Sequence, residues 1–247
     1  MTVILSTLLD SGEGIVNGMS TRLGGVSPPP FGMNLSFHVG DAEEYVHENR
    51  RRFFGTLGIS LDRLAFPLQV HGDRILTVES PGEYADCDAL MTRTPDLYLC
   101  VTVADCVPIL VVDTVGQGVA AIHSGWRGTA QHITLKVVER MKEEWGSKPE
   151  HCAAFIGASA GSCCYEVGNN VASRFPKEFL ASGKGNTHLD LKRATVAQLV
   201  QAGIPKARIE IDPSCTICEP HRFHSFRRDG KCTGRMMAVI GIRARIH

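Results

Sequence analysis

Three unbroken apolar stretches dominate the middle of the chain, at residues 97–103, 107–112 and 119–122. They are rich in β-branched residues, have the length of strands, and are separated by Ala104-Asp105-Cys106 and Gly116-Gln117-Gly118. Hydrophobicity that is continuous rather than alternating predicts strands buried on both faces. Polar chemistry is then confined to their ends. Shorter strands are predicted at 65–69, 74–78, 90–92, 153–156, 208–211 and 238–242, and a mixture of strand and turn over 7–22.

Helical spacing marks four further segments. Asp41 with Glu44 reads as an N-cap and its third-position acid, opening a helix that runs inward through Val46, Asn49, Phe53 and Leu57 and stops at Gly58. Arg50, Arg51 and Arg52 fall partly on its solvated face. A second helix is predicted over 129–145, with Ile133, Val137, Val138, Met141 and Trp145 facing inward, and others near 169–175 and over 189–202, ending at Gly203. Thr21 to Gly32, with three consecutive prolines, and the Gly- and Ser-rich run 157–168 read as loops. Strands and helices intermix without a repeat, a linker or a shift in composition. One mixed α/β (α+β) domain over 1–247, mixed sheets covered by helices, is the economical prediction.

Composition narrows the class. The 247 residues carry 26 basic and 26 acidic side chains, a formal net charge of zero, and 43% hydrophobic residues. Balanced charge argues against nucleic acid or a membrane surface as partner, while local arginine clusters at 50–52 and 227–228 suit a small anionic ligand. The N-terminus has no basic leader and no apolar run nears the roughly 20 residues of a membrane span, so a cytoplasmic location is expected. Nine cysteines without a framework of spacings fit reduced thiols. Cys215-Thr216-Ile217-Cys218 is a lone C-x-x-C, which reads as a pair of structural thiols.

The chemistry gathers at strand ends. Cys106 follows one apolar run, His123 closes another, and His71 sits in the turn Gln69-Val70-His71-Gly72. These three could ligate one metal ion and leave its fourth position open. They could equally form a nucleophile pair, Cys106 with His123 as base and His71 or Asp105 as orienting group, or simply fill the core. Spacing does not separate the three. Gly125 and Gly128 bracket Trp126-Arg127, a loop where backbone can approach a ligand, Trp126 can stack a ring and Arg127 can grip an anion.

The ordered motifs are more specific. Thr21-Arg22-Leu23-Gly24-Gly25-Val26-Ser27, Asn34-Leu35, Gln69-Val70-His71-Gly72, Asp88-Ala89-Leu90-Met91-Thr92, Ala104-Asp105-Cys106-Val107-Pro108, His123-Ser124-Gly125-Trp126-Arg127-Gly128, Cys164-Tyr165-Glu166-Val167-Gly168 and Phe226-Arg227-Arg228-Asp229-Gly230 occur in that order. Together they resemble the laccase-domain or polyphenol oxidase family, also called purine nucleoside phosphorylase-like or peptidoglycan-editing factor, over the whole chain. The resemblance implies a mixed α/β fold related to a cysteine-hydrolase superfamily, and a zinc ion on His71, Cys106 and His123. Copper is the other metal such donors accept. It further implies phosphorolysis of adenosine, inosine and methylthioadenosine, with deamination of adenosine as a side activity. Alternatives that travel with the family are removal of a misincorporated serine from a peptidoglycan precursor, and copper-dependent oxidation of polyphenols. The last fits poorly, because the ten histidines show no His-x-His pair.

Beside the metal, Asp105, Arg127 and Glu166 are the expected catalytic groups. Arg22, Asn34, Trp126, Arg227 and Arg228 are expected to bind a nucleoside and phosphate, with Asp229 a further candidate for proton or hydroxyl contacts. Two departures from the family pattern stand out: Ser124 where alanine is usual, and Ala158–Ser162 in place of a segment richer in proline and isoleucine.

Overall fold

A computed structural model describes residues 2–9, 14–183 and 186–244. The chain opens with β1 (Val3–Ile4), β2 (Ile15–Ser20) and α1 (Glu43–Thr56). Strands β3 (Leu64–Pro67), β4 (Ile75–Thr77), β5 (Gly82–Tyr84), β6 (Ala89–Thr92) and β7 (Tyr98–Val103) follow. Then come β8 (Val107–Asp113), β9 (Gly118–Ser124), α2 (Trp126–Ala130), α3 (Ile133–Trp145) and β10 (Cys152–Ile156). The remainder is β11 (Glu166–Val167), α4 (Asn169–Ala172), the hairpin β12 (Leu180–Gly183) and β13 (Asn186–Leu189), α5 (Leu191–Gln201), β14 (Ile209–Ile211), α6 (Phe226–Asp229) and β15 (Met236–Ile242).

Two six-stranded sheets carry the architecture, in the orders β1-β2-β15-β7-β3-β5 and β14-β10-β8-β9-β6-β4; a small third sheet is β11-β13-β12. Both large sheets are mixed: β3 runs parallel to β5 and β7, β4 to β6, and β10 to β14, among otherwise antiparallel pairs. Their inner faces pack together through Leu99, Val101, Leu110, Val112, Ala121 and Phe155. The outer face of the first sheet packs Tyr98 and Cys100 under Phe53 and Phe54 of α1. The outer face of the second packs Ile109, Val111, Ala120 and Ile122 under α3 and α5. Alternate residues of β7, β8 and β9 therefore enter different cores, which is why these strands read as continuous apolar runs.

Several boundaries differ from expectation for identifiable reasons. Asp41 does not cap α1, because its carboxylate accepts from Ser27 Oγ at 2.7 Å and Asn34 Nδ2 at 3.0 Å; Ala42 is the N-cap. Gly58 follows the helix with φ +65°, as a stop requires. The helix expected over 129–145 is two helices, divided at His132 (φ 60°). The carbonyl of Thr129 is taken at that break by the buried Gln198 side chain of α5 at 2.7 Å and by the His132 N–H. Helix α4 is shorter than expected, and the β12–β13 hairpin was not anticipated. Residues 10–13 of the opening strand-and-turn segment lie outside the described residues.

Candidate metal centre

The β8–β9 hairpin pairs Pro108 with His123 and Val107 with Ser124, which brings Cys106, one residue before β8, against the end of β9. On its other side β9 pairs with β6, Ala89 opposite Ile122, and His123 donates its backbone N–H to Asp88 O at 2.7 Å. Asp88 is thereby placed behind the histidine, with Oδ1 2.7 Å from His123 Nδ1. The same buried carboxylate accepts the N–H groups of Val70, His71 and Gly72 at 3.2, 3.0 and 2.7 Å. Gln69 braces the turn from the other side through Thr102 N–H and C=O. One carboxylate thus orients His123 and bends the chain at His71, whose φ is 60°.

Burial raises the Asp88 pKa, but the His123 ring and the Gly72 and Val70 N–H groups outweigh it and hold the carboxyl below its usual range. A carboxylate has no proton to give, so His123 Nδ1 is the donor and Nε2 presents its lone pair. The ligand atoms of His71, Cys106 and His123 lie within 4.8 Å of one another. The two rings meet edge to face with centroids 4.9 Å apart. Burial pushes the Cys106 thiol up, yet His123 and His71 more than offset this and hold it at about 6. Burial also lowers His123, and Cys106 and Asp88 outweigh that to raise it to about 9. The proton shared here is one a metal cation would displace.

Two imidazoles, a thiolate, a carboxylate behind one imidazole and an exposed flank at His71 form a donor set that could hold a metal ion and leave it an open position. Gly125 keeps that space clear: a Cβ there would stand 3.0 Å from Cys106 Sγ and 3.3 Å from the His71 ring.

The three residues open into a cavity of about 480 Å³, within the usual range for small-molecule sites. Its wall includes Asp105, Tyr165, Phe66, Arg50, Arg227 and Arg235. The Arg227 guanidinium lies 5.1 Å over the buried Tyr165 ring, and Arg50 is held between Phe37 and Phe66 at 4.3 and 4.6 Å. Arg235 donates through Nη1 to Thr233 O and Gly234 O, which leaves Nε and Nη2 without partners among the described residues.

Residues 16–243 match the family described as multi-copper polyphenol oxidoreductase laccase. The chain belongs to that family. A purine nucleoside phosphorylase of Corynebacterium glutamicum is 37% identical over 90% of this chain and 92% of its own. One from Deinococcus radiodurans is also 37% identical, over 92% and 89%. Among solved structures, YlmD from Geobacillus stearothermophilus superposes with a TM-score of 0.91 at 35% identity, covering 97% and 94%. The hypothetical protein YfiH of Bacillus licheniformis does so at 0.89 and 35%, covering 95% of each chain.

Within this laccase-family chain, not every residue singled out from sequence reaches the cavity. His71, Cys106, His123, Asp105 and Arg227 line it; Arg22, Asn34, Trp126, Arg127, Glu166 and Arg228 do not. The Arg22 guanidinium donates to Pro220 O and Pro30 O, and that of Arg228 to Thr216 O, Ile217 O and Phe223 O beside its pairing with Asp229. Asn34 is buried and ties Ser36, Asp41 and Arg235 N–H together. Their polar atoms hold loops. Arg127 is exposed with its guanidinium stacked on Trp126 at 4.5 Å, and Glu166 is exposed on β11.

Asp105 lines the wall with both oxygens engaged, Oδ1 by the Thr216 hydroxyl at 2.6 Å and Oδ2 by the Arg227 N–H at 2.7 Å. Sequence reasoning missed Asp88, Tyr165, Arg50 and Arg235. Asp88 had a legible signal, an acid directly before a buried strand that needs a donor. Arg235 had none. Among the described residues no helix is long and apolar enough to cross a membrane.

Proposed function

We propose that this protein is a metal-dependent purine nucleoside phosphorylase acting on adenosine, inosine and methylthioadenosine, with deamination of adenosine as a side activity. One observation carries the reading: the His71–Cys106–His123 group opens into a cavity whose wall alternates arginines with aromatic faces. The relatives named purine nucleoside phosphorylase support it. Zinc held by the three residues would supply Lewis acidity to a substrate oxygen.

The chain's own residues account for binding. Arg235 and Arg227 line the cavity with guanidinium groups that suit inorganic phosphate, an oxyanion such forks grip. Tyr165, Phe66 and Phe226 supply flat apolar surface for a purine. In phosphorolysis a phosphate oxygen bonds to the ribosyl C1′, the bond from C1′ to the purine nitrogen breaks, and its electron pair leaves with the base, which takes up a proton. Asp105 is assigned to hold Arg227 rather than to move that proton, since Thr216 and the Arg227 backbone occupy its oxygens.

The test is direct. Zinc-replete protein incubated with inosine and phosphate is expected to release hypoxanthine and ribose 1-phosphate in equal amounts. No product from inosine, adenosine or methylthioadenosine would sink the reading. Serine release from a synthetic muropeptide precursor, or phenol oxidation by copper-loaded protein, in place of phosphorolysis would move the assignment to those chemistries.

A further inference from the structure

The lone C-x-x-C of the sequence is not alone in the fold. The Sγ atoms of Cys163, Cys164, Cys215 and Cys218 all lie within 4.8 Å of one another. Cys218 Sγ is 3.4 Å from that of Cys163 and 3.1 Å from that of Cys164. These separations exceed the roughly 2.05 Å of a disulfide, and all four cysteines are free. Thiolates around one zinc ion at about 2.3 Å stand about 3.8 Å apart, a few tenths of an ångström beyond the two shortest separations here and inside the 4.8 Å limit of the group.

The backbone, not the sulfur, makes this convergence. Ser159 forms a parallel bridge with Cys215, and Thr216 donates its N–H to Ser159 O at 3.1 Å. The N–H of Gly161 reaches Cys215 Sγ at 3.2 Å. A backbone N–H aimed at the sulfur favours its thiolate form. Four thiolates on a divalent ion leave a net charge of two minus, and two cations brace the same segment. Lys192 Nζ donates to Asp212 O and Ser214 O, each at 2.7 Å, and Arg228 Nη1 donates to Thr216 O and Ile217 O. The neighbouring acid Glu219 is paired with Arg222 at 2.6 Å.

We propose that Cys163, Cys164, Cys215 and Cys218 form a second metal site, a closed tetrahedral one that takes a single zinc ion as a structural clamp. Tetrahedral sulfur favours zinc or iron, and a cluster of several irons would spread its thiolates further apart than these lie. The clamp has a place in the larger design. One loop it joins delivers Tyr165 to the cavity; the other carries Thr216, which holds Asp105, and leads to Arg227. With four protein ligands this site has no open position, in contrast to the His71–Cys106–His123 group.

Metal content distinguishes the two sites. Wild-type protein, a Cys106→Ala variant and a Cys163→Ser/Cys218→Ser double variant are purified without chelator and their zinc is measured per chain. Cys106→Ala is expected to keep one zinc, and the double variant to have one fewer than wild type. Cobalt-substituted Cys106→Ala should show a strong thiolate-to-cobalt charge-transfer band, and its melting temperature should fall on chelation. Should the double variant fail to fold, Cys106→Ala alone decides. A Cys106→Ala protein without metal would overturn the proposal, as would iron in the site or fewer than nine free thiols in unreduced, denatured wild type.

Discussion

Asp88 does most to build the candidate centre although it ligates nothing. It orients His123, fixes the turn at His71, and is held ionised by the donors it collects. Asp88→Asn keeps the shape but exchanges one acceptor oxygen for a donor. Zinc affinity at the His71–Cys106–His123 site is expected to fall about 10- to 100-fold, read by competition with a chelating dye. Unchanged affinity would mean that the ligands orient themselves. Arg235 carries the corresponding prediction for substrate. Arg235→Met should raise the KM for phosphate on the order of tenfold while leaving the KM for nucleoside nearly unchanged, since one charge-assisted contact is lost. Arg127→Ala, off the cavity wall, should change neither; equal effects of the two substitutions would refute the placement of the phosphate.

Among elements, the β8–β9 hairpin is decisive, because its register alone sets Cys106 beside His123. A slip of one residue would turn His123 into a core and Ile122 toward the cavity. The break between α2 and α3 is a weaker point. His132 is exposed and left-handed there, a conformation that costs an L-residue about 1–2 kcal/mol, against about 0.5–1 kcal/mol of extra entropy for glycine. His132→Gly should therefore stabilise the protein by about 0.5–1 kcal/mol and raise its melting temperature. A lower melting temperature would show that the histidine ring has a role in joining the helices.

At the scale of the whole molecule, two sheets face to face with helices outside leave little room for polar groups, and His224 shows the consequence. It is fully buried with neither ring nitrogen partnered among the described residues, and its pKa is pushed down to about 3 by burial, then by Arg22 and Arg235, with Arg228 adding and Asp229 opposing. The unfolded chain takes up this proton near 6.5, the folded one only near 3. Stability from this source is complete above the unfolded value and is lost as pH falls from about 6.5 toward 3. Urea unfolding over that range should show a steeper acid loss for wild type than for His224→Met. Parallel curves would mean that His224 does not titrate on unfolding.

Much of this protein is already determined by its residues in order. Continuous apolar runs specify strands buried on both faces, because only a layer between two cores can hide every side chain of 107–112. The same runs leave chemistry to their ends, and the motifs there mark the family and name His71, Cys106 and His123 together. Sequence does not contain the contacts between elements. Asp41 carried the signature of a cap and went instead to Ser27 and Asn34, and Arg50, on a helical face that reads as solvated, lies between two phenylalanine rings. Cys163-Cys164 and Cys215-x-x-Cys218 looked like scattered thiols until parallel pairing of 159 with 215 set them together. Local propensity acts over a few residues, whereas strand register joins residues far apart along the chain. Only the folded chain could decide which cysteines share a site, and which arginines reach the cavity.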